Sequence, residues 1–362
     1  MKRTYGAAVA LALLLVPVSA SAGTVTGAQV ERIAPDRLKL SWADAGMVDV
    51  YMADGADVPV NRAILVSRLD GDGTYEQTVP AGTRPYFLVR DHRSGATLRV
   101  SERLVPLDHG SNFRDVGGYV GAGGKHVRWG MIYRSGATPL ISDADAKLIG
   151  GLHLANMVDL RSSEERQLAP TKIEGVPYHA VGYSMATLMA AMRPAASGTG
   201  AAGTAGNGAG LYSAMPEMLA PQLRLLFGRL LAKEGPVVFN CSAGQDRTGF
   251  AAAMILSALA VPRDVIIADY HLSTQYRRPE YEMGKIDPNA FPDNVAAQMF
   301  ARYHANPAAA KPQILKTPDG KPLLAFAFDA IDQRYGSVDA YLEKVVGLTK
   351  VDIAALRATY LE

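Results

Sequence analysis

Between Thr24 and about Leu107, apolar and polar residues alternate over short runs: Arg37-Leu38-Lys39-Leu40-Ser41-Trp42, Val48-Asp49-Val50-Tyr51, Ala63-Ile64-Leu65-Val66 and Tyr86-Phe87-Leu88-Val89-Arg90. A period of two puts every second side chain on one face, which predicts half-buried strands. The clusters Asp70-Gly71-Asp72-Gly73, Pro80-Ala81-Gly82 and Arg93-Ser94-Gly95 separate these runs at hairpin-like intervals. Trp42 falls on an early strand, where a two-sheet core takes a large anchor. The expectation is a small antiparallel β-sandwich over 23–106, without a catalytic constellation of its own.

After Pro106 the texture changes. Met157-Val158-Asp159-Leu160 and Pro236-Val237-Val238-Phe239-Asn240 are short apolar runs of the kind buried in a parallel sheet, each followed by a polar or glycine-bearing turn. Helical periodicity marks 220–232, 248–259, 263–274, 292–305, 323–334 and a last stretch near 350–360. The fold class expected for 107–362 is therefore α/β, with a mainly parallel sheet flanked by helices. Between Pro194 and Gly210 the composition falls to alanine, glycine, serine, threonine and one asparagine. Such a tract buries too little surface to order itself, and a flexible insertion is expected over 194–210.

The first 22 residues have the form of an export signal: Lys2 and Arg3, an apolar run from Ala7 to Val18, and the small residues Ala20-Ser21-Ala22 before Gly23. The run is short for a membrane span, so no stable membrane insertion is expected, and the destination is periplasmic or secreted. The 37 basic and 35 acidic residues of the 362 nearly cancel. That balance supplies no basic field for nucleic acid. One cysteine, Cys241, excludes a disulfide framework and any multi-thiolate metal site, and the seven histidines show no paired-ligand spacing. An unpaired thiol in an oxidising compartment points to a chemical use.

That use is legible around the cysteine itself. Residues 236–260 read as strand, tight polar loop and long apolar helix, with Cys241 ending the strand and Arg247 beginning the helix. Ser242, Ala243, Gly244, Gln245 and Asp246 lie between them, small or glycine-centred enough for backbone N–H groups to turn inward around one anion. The same amides favour thiolate over thiol at Cys241. Arg247 offers a planar fork for two phosphoryl oxygens, which a lysine would not reproduce. The Thr248 hydroxyl is expected to face the sulfur and stabilise it as a leaving group.

The run Cys241-Ser242-Ala243-Gly244-Gln245-Asp246-Arg247-Thr248-Gly249 resembles the signature of cysteine-dependent phosphatases, and its ending is similar to that of the bacterial atypical protein-tyrosine phosphatases. Further blocks resemble that family in order: 112–119 (NFRDVGGY), 133–136 (YRSG), 158–162 (VDLRS) with Glu165, 269–273 (DYHLS), and 335–337 (YGS) with Tyr341-Leu342. The resemblance spans roughly 105–362 and implies a tyrosine-phosphatase-like domain. Its implied activity is hydrolysis of phosphotyrosine, or of another phosphomonoester, through a phosphocysteine without a cofactor. The substrate class implied is a phosphorylated protein or a small phosphomonoester. The N-terminal strands are similar in pattern and length to a fibronectin type III-like domain. Asn240 stands where the family usually has histidine. Gln245 stands where it commonly has lysine, which removes a cation suited to multiply phosphorylated inositol head groups.

Expulsion of a phenolate needs a proton donor. Between Glu174 and Glu217 there is no aspartate or glutamate, which leaves Asp246, beside Arg247, as the expected acid; the alternative is that it only orients its neighbours. Asp115 and Asp159 are further candidates, with Asp159 more naturally a capping group or the partner of Arg161. Arg114, Arg134 and Arg161 are expected to form an ion-pair network with Asp115, Asp159 and Glu165. Tyr276-Arg277-Arg278 is either a wall of the approach to the site or a solvated helix end. Three other functions compete with the first: a lipid or inositol phosphate phosphatase, a catalytically weak phosphate-binding module, and sulfur transfer by a rhodanese-like loop.

Overall fold

The computed structural model describes residues 25–43, 46–185, 208–306, 311 and 313–362. The leader at 1–22 and positions 194–207 of the glycine–alanine tract lie outside them.

Seven strands make the first domain: β1 (Thr26–Ala34), β2 (Arg37–Ala43), β3 (Val48–Ala53), β4 (Ile64–Asp70), β5 (Thr74–Thr78), β6 (Tyr86–Asp91) and β7 (Thr97–Ser101). They form two sheets, β1-β2-β5 and β4-β3-β6-β7, with every pairing antiparallel. The period of two is explicit in β2, where Leu38, Leu40 and Trp42 point into the core against Val48, Val50, Phe87 and Val89 of the other sheet. The turns correct one expectation. Of the three clusters, Arg93-Ser94-Gly95 alone closes a hairpin, between β6 and β7, whereas Asp70–Gly73 and Pro80–Gly82 carry the chain from one sheet to the other. Gly73 has φ +80° and its carbonyl accepts from Trp42 N at 3.0 Å, so the first of these turns delivers β5 to β2 rather than back to β4.

The second domain is built on β8 (Arg114–Asp115), β9 (Ile132–Ser135), β10 (Asn156–Asp159), β11 (Tyr178–Ala180) and β12 (Val237–Asn240), in the order β11-β10-β12-β9-β8. β11, β10, β12 and β9 are mutually parallel and β8 closes the edge antiparallel. Along β12, Val237 and Phe239 enter one apolar cluster and Val238 another, so the sheet is covered on both faces.

The main described helices are α1 (Asp143–Gly150), α2 (Ser163–Leu168), α3 (Ala209–Met218), α4 (Ala220–Ala232), α5 (Asp246–Ala258), α6 (Arg263–His271), α7 (Val295–Ala305), α8 (Leu323–Tyr335) and α9 (Lys350–Tyr360). α5 is apolar all round from Phe250 to Leu256 and lies in the core, as such a helix must. Two expectations are corrected here. The stretch 263–274 divides after His271 into α6 and a single turn, Ser273–Tyr276. The insertion placed at 194–210 ends earlier, because Ala209 and Gly210 already belong to α3, packed against α8. No described helix is long and apolar enough to cross a membrane.

The two domains share buried groups. Residues 103–105 leave the sandwich and run beside β8, with Val105 N donating to Phe113 O and Asp115 N to Arg103 O, both at 2.9 Å. Arg84 of the sandwich pairs with Asp115 at 2.9 Å, both side chains nearly without exposure, and Asp115 also accepts from Gly117 N and Gly130 N. Trp129 of the second domain completes the sandwich core.

Candidate active site

β12 lies between β10 and β9, so the loop that follows it opens at the carboxyl ends of parallel strands, the usual crevice for ligands in this architecture. Cys241 sits at the head of that loop with 1% of its surface exposed. The loop carbonyls are held outward. Ser242 O accepts from Ala137 N at 2.9 Å, Ala243 O from Asn112 Nδ2 at 3.2 Å, and Gly244 O from both Asn112 Nδ2 at 2.8 Å and Arg134 Nη2 at 3.0 Å. Among the described residues, no amide from 242 to 247 donates to a protein acceptor. A peptide whose carbonyl is tied on one side presents its N–H on the other. The loop is thus an amide-lined cradle beginning at Cys241 and closed by the N-terminus of α5.

Gly244 is required twice over. Its φ is +63°, and a Cβ there would lie 2.5 Å from Ser135 C and Gly136 N.

Glu165 orients the guanidinium. Arg247 Nη1 donates to Glu165 Oε2 at 2.6 Å and Nη2 to Oε1 at 2.7 Å, while Nη1 also donates to Tyr183 Oη at 2.6 Å. Those bonds use the end of the guanidinium and leave the parallel Nε–H and second Nη2–H, the edge that grips two oxygens of one phosphoryl group. Glu165 is itself fixed by Ser162 N at 2.9 Å, as part of the α2 capping box, and by Ser242 Oγ at 2.7 Å. Burial pushes its pKa up, but the Arg247 charge and these donors outweigh burial and hold it at about 2. For Arg247, burial opposes the charge, yet Glu165, Tyr183 and the nearby Cys241 sulfur push its pKa well above the ordinary arginine value.

A second buried network stands behind the cradle. Asp269 accepts from Arg134 Nη1 at 2.6 Å and lies 3.4 Å from Arg114 Nε, and Tyr119 Oη donates to it at 2.9 Å. Arg114 also donates to Asn112 Oδ1, so Asp269 reaches the Ala243 and Gly244 carbonyls through two arginines. Burial, with the Arg134 charge, pushes the Arg114 pKa down to about 10, and the two arginines hold Asp269 far below the usual carboxylate range despite its burial. The ion-pair network expected from the sequence exists, but its partners are different. Arg114 and Asp115 are neighbours on β8, and successive strand residues face opposite sides. Arg114 therefore turns to Asp269 and Asp115 to Arg84 of the sandwich. Glu165 belongs to Arg247. Only Asp159 and Arg161 pair as expected, at 2.6 Å.

Asp246 opens α5 at the rim of the loop. Its Oδ1 accepts from Tyr212 Oη at 2.5 Å and from Gln245 Nε2 at 3.2 Å. Tyr212 Oη is also 2.5 Å from Tyr270 Oη. Burial, and then the Asp246 charge, push both phenol pKa values far up, so they remain neutral donors. Gln245 Oε1 faces Arg277 Nη1 at 3.4 Å, and Arg277 is otherwise tied to Glu282 at 2.7 and 2.9 Å. Of the proposed approach residues, Arg277 is thus a buried buttress of the loop rather than a solvated end.

One site expectation is corrected. Thr248 is fully buried, but among the described residues its Oγ1 makes no bond to the sulfur or to another protein group. Among the described residues, Asn240 Nδ2 reaches only the Cys241 carbonyl, at 3.4 Å. Tyr183, Tyr212, Tyr270 and the tether role of Asn112 are not legible in the sequence as parts of the site. Only membership of ordered blocks marked Tyr270 and Asn112; Tyr183 and Tyr212 carried no signal beyond being aromatic.

A model of the tyrosine phosphatase family matches residues 105–362. A Cupriavidus necator protein provisionally named a tyrosine-protein phosphatase is 33% identical over 259 residues, covering 71% of this chain and 88% of that protein. The triple specificity protein phosphatase PtpB of Mycobacterium tuberculosis is 26% identical over 280 residues, covering 69% and 96%. A solved structure of P. aeruginosa TpbA in complex with pTyr overlaps 50% of this chain and 90% of its own at 16% identity and TM-score 0.25. The family assignment rests on the sequence matches.

Proposed function

Because residues 105–362 make this chain a member of the tyrosine phosphatase family, and hence a phosphomonoester hydrolase, we propose that it hydrolyses phosphotyrosine by way of a phosphocysteine on Cys241. The observation that carries the reading is the loop that follows Cys241: its carbonyls are tied to Ala137, Asn112 and Arg134, its amides have no protein acceptor among the described residues, and one edge of the Arg247 guanidinium is left open.

In this reading the Cys241 thiolate attacks phosphorus in line as the ester P–O bond breaks, and Asp246 gives its proton to the departing phenolate. Arg247 and the loop amides take up the charge on the equatorial oxygens. Water then attacks phosphorus, losing its proton to Asp246, and the P–S bond breaks. Gln245 spends its amide on Asp246 and Arg277 and brings no cation to the rim, which favours a singly phosphorylated aromatic ester over a polyphosphorylated inositol ring.

Phosphate release from a phosphotyrosine peptide, a phosphoserine peptide and inositol phosphates, measured with chelator present for wild type and Cys241→Ser, tests this. The expected result is turnover of phosphotyrosine that the substitution abolishes; equal turnover by both proteins would overturn it. The leader pattern at 1–22 supports placing this chemistry outside the cytoplasm. N-terminal sequencing of the exported fraction should then begin at Gly23.

A further inference from the structure

Two buried phenols end on Asp246, and the reaction as written uses neither. A carboxylate can only accept, so Tyr212 donates to Asp246 Oδ1, which leaves Tyr270 as the donor to Tyr212. Tyr212 and Tyr270 are 1% and 0% exposed, and their rings meet edge to face with centroids 6.0 Å apart. Packing alone would be served by phenylalanine, since a buried hydroxyl has to be compensated. The signature's Gly249 fits the same arrangement, because a Cβ there would lie 2.8 Å from Tyr270 Cδ2. Gln245 Nε2 is the second donor to Oδ1. With both acceptor positions of Oδ1 taken, a proton held by Asp246 belongs on Oδ2.

We propose that Tyr212, backed by Tyr270, is the positioning residue for Asp246: it fixes the rotation of the carboxyl group and assigns the acid proton to Oδ2. The proposal rests on Asp246 being the acid. Its consequence is that leaving-group protonation depends on the two phenols, whereas phosphate binding does not.

Two esters separate these steps. Phenyl phosphate expels a basic phenolate and needs the acid; 2,4-dinitrophenyl phosphate expels a stable anion and does not. Asp246→Asn should slow phenyl phosphate by ~100-fold or more in kcat and the dinitrophenyl ester by only a few-fold. Tyr212→Phe should show the same selectivity at ~10-fold, with inhibition by vanadate unchanged. Tyr270→Phe, one bond further out, should show it in weaker form, and it carries the test should Tyr212→Phe fail to fold. If Asp246→Asn is selective and the tyrosine variants slow both esters equally or weaken vanadate binding, the positioning role is overturned and the acid reading stands. If Asp246→Asn itself slows both esters equally, both fall.

Discussion

Replacing Glu165 by glutamine keeps the shape of the side chain and removes the charge that faces Arg247. The carboxylate is 1% exposed and makes two charge-assisted bonds to Arg247, at 2.6 and 2.7 Å. Two routes give the magnitude. Its pKa falls from 4.5 to about 2 in the folded protein, which corresponds to about 3 kcal/mol of stability. Removing one partner of a buried ion pair costs about 3–5 kcal/mol. The pH dependence has a definite sign. A depressed carboxyl pKa contributes its full stability above the unfolded value, 4.5, and loses it as pH falls through about 2. Urea denaturation of wild type and Glu165→Gln at several pH values should therefore show a gap of about 3 kcal/mol at pH 7 that closes below pH 4.5. Turnover of phosphotyrosine should fall by ~100-fold, since the open guanidinium edge is no longer aimed. A gap under ~0.5 kcal/mol at pH 7, or one that stays constant down to pH 2, would falsify the role given to Glu165.

Two further outcomes follow from the same geometry. Asp269→Asn leaves Arg114 and Arg134 buried without a carboxylate, and thermal denaturation should report a loss of about 3–5 kcal/mol, roughly 10 °C. Gly244→Ala forces a Cβ to within 2.5 Å of the Ser135–Gly136 peptide at a left-handed φ; vanadate binding and turnover should be lost together, and retention of either would show that the loop can close another way.

Much of the fold is local information. β2 alternates Leu38, Lys39, Leu40, Ser41 and Trp42, and the structure buries the apolar member each time. The helix at 220–232 also has the bounds that its periodicity gives. α3 was missed because it begins in the glycine–alanine tract and carries Pro216, both of which speak against a helix locally. The site divides in the same way. Cys241 to Thr248 are contiguous, so their chemistry was legible. Their supports arrive from far along the chain: Glu165 lies 82 residues from Arg247, Tyr212 34 from Asp246, and Asp269 135 from Arg134. The expected network grouped Arg114 with Asp115, whereas adjacent strand residues part to opposite sides.

Trp129 and Asp115 have a consequence for how such a protein can be cut or recombined. The catalytic half lends an indole to its neighbour's interior and takes a guanidinium in return. Severed at the seam, it would bare a tryptophan and strand a carboxylate. The front module is therefore no bead on a string, since shared interior side chains set its bearing on the catalytic half.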